Sequence, residues 1–194
     1  MRITRKLMQM LVVMGIAVNA HALQPQRGWL MNVYYLDGSL DLKPSYSFSN
    51  PEYYDDYDLL QMGMGFGYAF ANGITTEMKI NTGALDFFWD LFGVDTYRIS
   101  EIHLAAAYDL YLSSRFSLGP EVRLTKVVLK AEEGPLFNPG PEEEYRFDQY
   151  AWTWGARAKL RASDRFTLVL SYYRADYDFG DTKAAGLQFQ WHFN

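Results

Sequence analysis

Gln61-Met62-Gly63-Met64-Gly65-Phe66-Gly67-Tyr68-Ala69-Phe70 alternates without a break. Met62, Met64, Phe66, Tyr68 and Phe70 are large and apolar, whereas Gln61, Gly63, Gly65, Gly67 and Ala69 are small or polar. Successive side chains of a strand point to opposite faces, so this stretch reads as a strand with one greasy face and one small, open face. A single strand of this kind suits a soluble sandwich as well as any other sheet. Repetition decides the matter, because the alternation returns about eight times along the chain.

Eight strands are expected over roughly 28–36, 59–70, 74–82, 98–111, 116–130, 146–161, 166–175 and 184–193. Short turns join three pairs: Ala71-Asn72-Gly73, Leu112 to Arg115, and Ala162 to Arg165. Asn-Gly followed by a β-rich run is a hairpin signal. The other connections, 37–58, 83–97, 131–145 and a shorter 176–183, are longer, so long and short alternate. No linker or second domain interrupts this pattern.

The faces separate by residue type. In the fourth strand Ile102, Leu104, Ala106, Tyr108 and Leu110 oppose Glu101, His103 and Asp109. In the fifth, Phe116, Leu118, Val122 and Leu124 oppose Ser117, Glu121, Arg123 and Thr125. In the sixth, Tyr150, Trp152, Trp154, Ala156, Ala158 and Leu160 oppose Thr153, Arg157, Lys159 and Arg161. Two places depart from regularity. Pro120 lies inside a strand, where a closed sheet has no harmless edge, so a bulge is expected there. The first strand is apolar on both faces, and Asn32 points its even positions inward.

Residues 1–22 read as a secretory signal: Arg2, Arg5 and Lys6, an apolar run from Leu7 to Val18, then Ala20-His21-Ala22. That run is too short to span a membrane as a helix, which needs about 20 residues. The remaining residues, 23–194, suffice for one domain. The chain carries 18 Lys+Arg against 23 Asp+Glu, and without the three basic signal residues its balance moves from −5 to −8. Such a surface argues against nucleic acid as a partner. With no cysteine there is no disulfide, thiol nucleophile or lipidated N-terminus. An aromatic fraction of 17% suits interfacial girdles. The expectation is an all-β, transmembrane, antiparallel up-and-down β-barrel of eight strands in an outer membrane, with short periplasmic turns and longer extracellular loops. A secreted soluble β-domain is the competing architecture.

The last strand, Gly186-Leu187-Gln188-Phe189-Gln190-Trp191-His192-Phe193-Asn194, resembles the C-terminal signal strand of outer-membrane proteins. In that signal a glycine precedes alternating hydrophobics ending in an aromatic, here Gly186, Phe189, Trp191 and Phe193. Asn194 is one residue beyond the usual aromatic end. Over 28–194 the chain resembles the small barrels of the outer membrane protein A transmembrane-domain and opacity-protein type, and Arg115-Phe116-Ser117-Leu118-Gly119 resembles a turn-to-strand passage of that family. The resemblance implies reading by the barrel-assembly machinery. It leaves activity open among anchors, adhesins, serum-resistance factors and narrow channels.

The inward rows carry Glu77, Lys79, Glu101, Asp109, Glu121, Arg123, Arg157, Lys159 and Arg161. Eight strands enclose a space that side chains fill, so these charges are expected to pair as a plug. A gated ion path through them is the alternative. Arg98, Lys126, Lys130, Arg146 and Arg174 extend the outward rows beyond the apolar band, where lipopolysaccharide phosphates would meet them. Glu52-Tyr53-Tyr54-Asp55-Asp56-Tyr57-Asp58 and Glu142-Glu143-Glu144-Tyr145 form acidic, tyrosine-rich loops suited to an extracellular protein partner, without the spacing of a calcium loop. Leu85-Asp86-Phe87-Phe88-Trp89-Asp90-Leu91-Phe92 is a greasy connection that suits the lipid interface. His103 and His192 both fall on inward positions, and neither stands in the His-x-Ser arrangement of outer-membrane deacylases. No catalytic set, metal-ligand spacing or cofactor motif is found, and the favoured role is a non-enzymatic envelope surface protein. A lipid A-modifying enzyme ranks behind the channel.

Overall fold

The computed structural model describes residues 27–43, 56–85, 96–132 and 145–193. Eight strands form one closed antiparallel ring: β1 (Gly28–Leu42), β2 (Asp56–Ala69), β3 (Ile74–Leu85), β4 (Thr96–Tyr108, resumed at Leu110–Tyr111), β5 (Phe116–Glu132), β6 (Tyr145–Arg161), β7 (Phe166–Tyr177) and β8 (Gly180–Phe193). Each pairs with its neighbours in sequence, and β8 closes on β1. From Gly28 the hydrogen-bonded partners run Ala69, Thr75, Ala107, Glu121, Gly155, Tyr173, Ala184, then Gly38. One circuit therefore climbs ten residues along β1. Over eight strands that stagger tilts the strands by roughly 40°, within the range for closed barrels.

The three short turns form where the sequence places them. Asn72 Oδ1 accepts from the Ile74 N–H at 3.1 Å, and Gly73 adopts φ 86°, a left-handed conformation open to glycine. Ser113 and Ser163 make matching turns, each side-chain oxygen accepting from the second and third following N–H groups. The fourth connection, expected over 176–183, shrinks to the two residues Asp178 and Phe179, because β7 and β8 pair up to Tyr177 and Gly180.

Pro120 does not produce the expected bulge. Ala107 pairs with Glu121 and Leu110 with Leu118, so the register is the same on either side. The ladder lapses in the partner strand instead, between Tyr108 and Asp109. The Tyr108 carbonyl approaches Gly119 so closely that any β-carbon there would overlap it. The Asp109 N–H turns away to donate to the Gly73 carbonyl at 2.8 Å. A residue without an N–H is accommodated by a gap rather than an insertion.

Inside and outside are sorted by parity, with the even residues of β1 inward. Met62, Met64, Phe66 and Phe70 are exposed outward, as are Ile80, Leu104, Trp152, Trp154 and Leu170. The buried polar set, from Gln61 and Glu77 to Gln188 and Gln190, lies within. Towards the loop end the chemistry inverts. Leu40, Leu42, Tyr57, Leu59, Ile99, Val127, Leu129, Ala175, Tyr177 and Phe179 pack together as an apolar core inside the ring. Most outward positions beside them are polar, among them Asp37, Asp41, Asp58, Arg98, Ser100, Lys126, Lys130, Arg174, Asp176, Asp181 and Lys183, with Leu60 and Val128 as apolar members. The barrel is thus polar-in and apolar-out for most of its height, then apolar-in and polar-out. Only the first arrangement suits a hydrocarbon surround, and the second suits water.

Candidate functional site: the lumen network and the basic collar

Glycine faces on β2 make the lumen network possible. A β-carbon at Gly63 would meet the Tyr34 ring at 2.6 Å, one at Gly65 the Lys79 Cγ at 2.9 Å, and one at Gly67 the Glu77 Cγ at 2.7 Å. Long side chains from β1 and β3 occupy the space these glycines leave.

Three carboxylates organise the middle of the barrel. Glu77 accepts from Arg157 Nη1 at 2.7 Å and from Asn32 Nδ2 at 2.7 Å, with Lys79 at 3.5 Å. Glu121 accepts from Arg123 Nε at 2.6 Å and Lys79 Nζ at 3.0 Å. Asp109 takes both Nε and Nη2 of Arg157 at 3.1 Å, Lys159 Nζ at 2.8 Å and the Thr75 hydroxyl at 3.1 Å. Arg157 therefore joins three strands through one guanidinium, a use of its fixed fork that lysine cannot reproduce. Arg123 also lies over the Tyr173 ring, 4.5 Å from its centroid.

Two residues expected in this network stand apart from it. Glu101 sits above it among neutral donors, accepting from Gln61 Nε2 at 3.0 Å, Asn81 Nδ2 at 2.6 Å and the Tyr177 hydroxyl. Arg161 lies at the periplasmic rim, paired with Asp164 at 2.8 Å across the turn. Its removal from the lumen leaves Glu77, Glu101, Asp109 and Glu121 against Lys79, Arg123, Arg157 and Lys159, a neutral interior. Neutrality is what burial of these groups requires.

His103 is held at both ring nitrogens. Asn81 Oδ1 can only accept, so His103 Nε2 donates to it at 2.7 Å, and Nδ1 meets the Thr125 hydroxyl at 2.7 Å. This histidine is a member of the interior lattice beneath the apolar core. His192, near the periplasmic end, is buried, and neither ring nitrogen has a hydrogen-bond partner among the described residues.

The five outward basic residues gather at the polarity inversion on β4 to β7. Arg98 is the register partner of Lys130, and Lys130 of Arg146, placing three cations side by side across β4, β5 and β6. Lys126 lies 5.5 Å over the Tyr150 ring, Arg146 is 4.0 Å from Asp148, and Arg174 is 3.8 Å from Asp181. The sequence reading missed Lys183, the register partner of Arg174, because it began the last strand one residue later. Carrying the outward parity of Phe193, Trp191 and Phe189 upward would have found it. Those three aromatics face outward, and Phe166 stacks on Phe189 at 6.0 Å and meets Trp191 edge-on at 5.6 Å. Gly186 faces inward, where a β-carbon would meet Ser171 Oγ at 2.8 Å. The segment 1–26, most of the three long connections and Asn194 lie outside the described residues, including Glu52 to Asp55, Asp86 to Phe92 and Glu142 to Glu144.

An eight-stranded antiparallel ring with this girdle has the architecture of the small outer-membrane barrels. No protein-family model matches the chain, and no curated protein matches it significantly. Solved structures do. Neisserial surface protein A (NspA) has a TM-score of 0.66 at 8% identity, covering 86% of this chain and 97% of its own. Ail of Yersinia pestis, solved in complex with the heparin analogue sucrose octasulfate, has a TM-score of 0.56 at 10% identity, covering 87% and 99%. The N-terminal β-barrel domain of Pseudomonas aeruginosa OprF has a TM-score of 0.51 at 15% identity, covering 87% and 100%. At these identities the likeness is one of fold, and the fold is that of an outer-membrane β-barrel.

Proposed function

We propose that this chain is a non-enzymatic surface protein, exported by its residues 1–22 and folded into the outer membrane through recognition of Gly186, Phe189, Trp191 and Phe193 by the barrel-assembly machinery. It supports the envelope by binding lipopolysaccharide phosphates at Arg98, Lys126, Lys130, Arg146 and Arg174, and presents its acidic loops to an extracellular protein. One observation carries the reading: Arg98, Lys130 and Arg146 are direct neighbours across three strands at the polarity inversion. A cluster of guanidinium and ammonium groups at this level suits an anionic ligand that bridges several of them. The phosphates of an outer leaflet are such a partner, and the charge-assisted bonds they accept are the strong kind. The channel alternative is disfavoured by the apolar core, which fills the lumen above the ion pairs.

The test replaces Lys126, Arg146 and Arg174 by Ala and compares thermal unfolding in micelles with and without lipopolysaccharide. The native chain should gain stability from lipopolysaccharide, and the triple variant should lose most of that gain while unfolding as before in its absence. An equal gain in both proteins would overturn the reading.

A further inference from the structure

The outward wall carries an open concavity of about 780 Å³ between β1 and β6. Its floor follows one hydrogen-bonded row, Trp29, Tyr68, Thr76, Ala106 and Val122. In the middle of that row Thr76 and Ala106 are small, whereas the row above, Phe66, Met78, Leu104, Leu124 and Trp152, is uniformly large. Two short side chains side by side therefore cut a trough into a wall of long ones.

One flank of the trough is a continuous aromatic surface. Trp29 stacks on Phe66 at 5.0 Å, meets Tyr68 edge-on at 5.1 Å, and Tyr68 meets Phe70 at 4.9 Å. These contacts fix the rings, so the trough is a formed surface. On the periplasmic side its lining reaches Phe70, next to the Ala71-Asn72-Gly73 turn, while Ile74 and Tyr108 form the row below Thr76 and Ala106. There Arg27 is exposed and donates from Nε to the Tyr68 hydroxyl at 3.4 Å. Using Nε alone, that bond leaves the two terminal amino groups of the guanidinium and the Tyr68 O–H as further donors beside the trough.

We infer that this trough is a binding site for one inner-leaflet phospholipid, with an acyl chain lying over Thr76 and Ala106 and the phosphodiester held by Arg27 and Tyr68. The polarity of the site selects this occupant. The cation lies at the periplasmic end, opposite to the collar that faces the outer leaflet, so the headgroup must come from the inner side. Apart from the Thr76 and Tyr68 hydroxyls the trough offers hydrocarbon and ring faces, which match an acyl chain. A bidentate guanidinium beside a hydroxyl matches a phosphate. The inference needs only that the girdle faces lipid and is independent of the lipopolysaccharide reading.

The experiment is native mass spectrometry of the full chain, delipidated in mild detergent and then titrated with palmitoyl-oleoyl phosphatidylglycerol. The native chain should hold one lipid in preference to further copies. Ala106→Leu and Thr76→Leu should fill the trough and weaken that first binding about tenfold, the effect of burying roughly two methylenes fewer. Arg27→Ala should weaken it as well, while Ala185→Leu, an equal enlargement on the outward face of β8, should leave it unchanged. Inorganic phosphate should not compete, because the acyl chain is required. Each variant should keep the heat-modifiable gel migration of a folded barrel. Equal lipid retention by Ala106→Leu and Ala185→Leu would overturn the inference. So would a dimer of the native chain abolished by Ala106→Leu, which would make the trough a contact between copies.

Discussion

Arg157 Nη1 lies 2.7 Å from Glu77 Oε1, joining β6 to β3 across the full width of the lumen, eighty residues apart in sequence. Both side chains are buried. Removing either alone strands a charge in the interior, which costs about 3–5 kcal/mol. Glu77→Ala and Arg157→Ala should each lower the unfolding free energy in micelles by that order. The double variant keeps the interior neutral and should lose less than the sum by at least ~1 kcal/mol. Strict additivity in urea unfolding would show that the pair does not act as a unit.

The inversion of polarity along the barrel predicts where the hydrocarbon ends. The chain has no cysteine, so single cysteines can report position. Asp58→Cys and Lys183→Cys should react with a polar maleimide in intact membrane vesicles. Met64→Cys and Leu104→Cys, at outward positions of the girdle, should react only after detergent is added. Reaction of Met64→Cys in intact vesicles would remove the membrane assignment of β2.

Much of this was legible from alternation alone. Eight strands, three turns and the inward or outward facing of nearly every charged residue follow from parity, and parity survives because a one-residue slip would put Glu77 or Arg157 into lipid. The upper barrel was not legible for a specific reason. The expected first strand ends at Leu36, where the outward residue changes from Tyr35 to Asp37, and a connection is expected from residue 37. In Asp37-Gly38-Ser39-Leu40-Asp41-Leu42 the alternation continues, with polar residues now outside and Leu40 and Leu42 inside. A search for apolar outward rows stops where the membrane stops, not where the strand does. The same change of solvent hid the apolar core, whose members come from the far ends of β1, β2, β4, β5 and β7 and from the Asp178-Phe179 turn. Parity places Arg161 on the inward row, but parity carries no height, and its height puts it at the rim with Asp164.

The two inward histidines should respond unequally to truncation. His103→Ala removes bonds to Asn81 and Thr125 and leaves those buried groups short of a partner, a loss of about 1–3 kcal/mol. His192→Ala breaks no side-chain hydrogen bond among the described residues and removes only the packing of a buried ring, so it should cost less than His103→Ala. Thermal unfolding of the two variants in the same micelles makes the comparison. Equal losses would contradict the assignment of His103 to the interior lattice.

We propose that the lumen is a closed structural core: four acids balanced by four bases, capped by Leu40, Leu59, Ile99, Val127, Leu129 and Tyr177. Single-channel recording of the purified chain in planar bilayers tests it most directly. A closed lumen gives a flat baseline across the voltage range in which the bilayer is stable. Steady open levels that disappear on changing Glu121 or Arg157 would contradict it and make the barrel a channel.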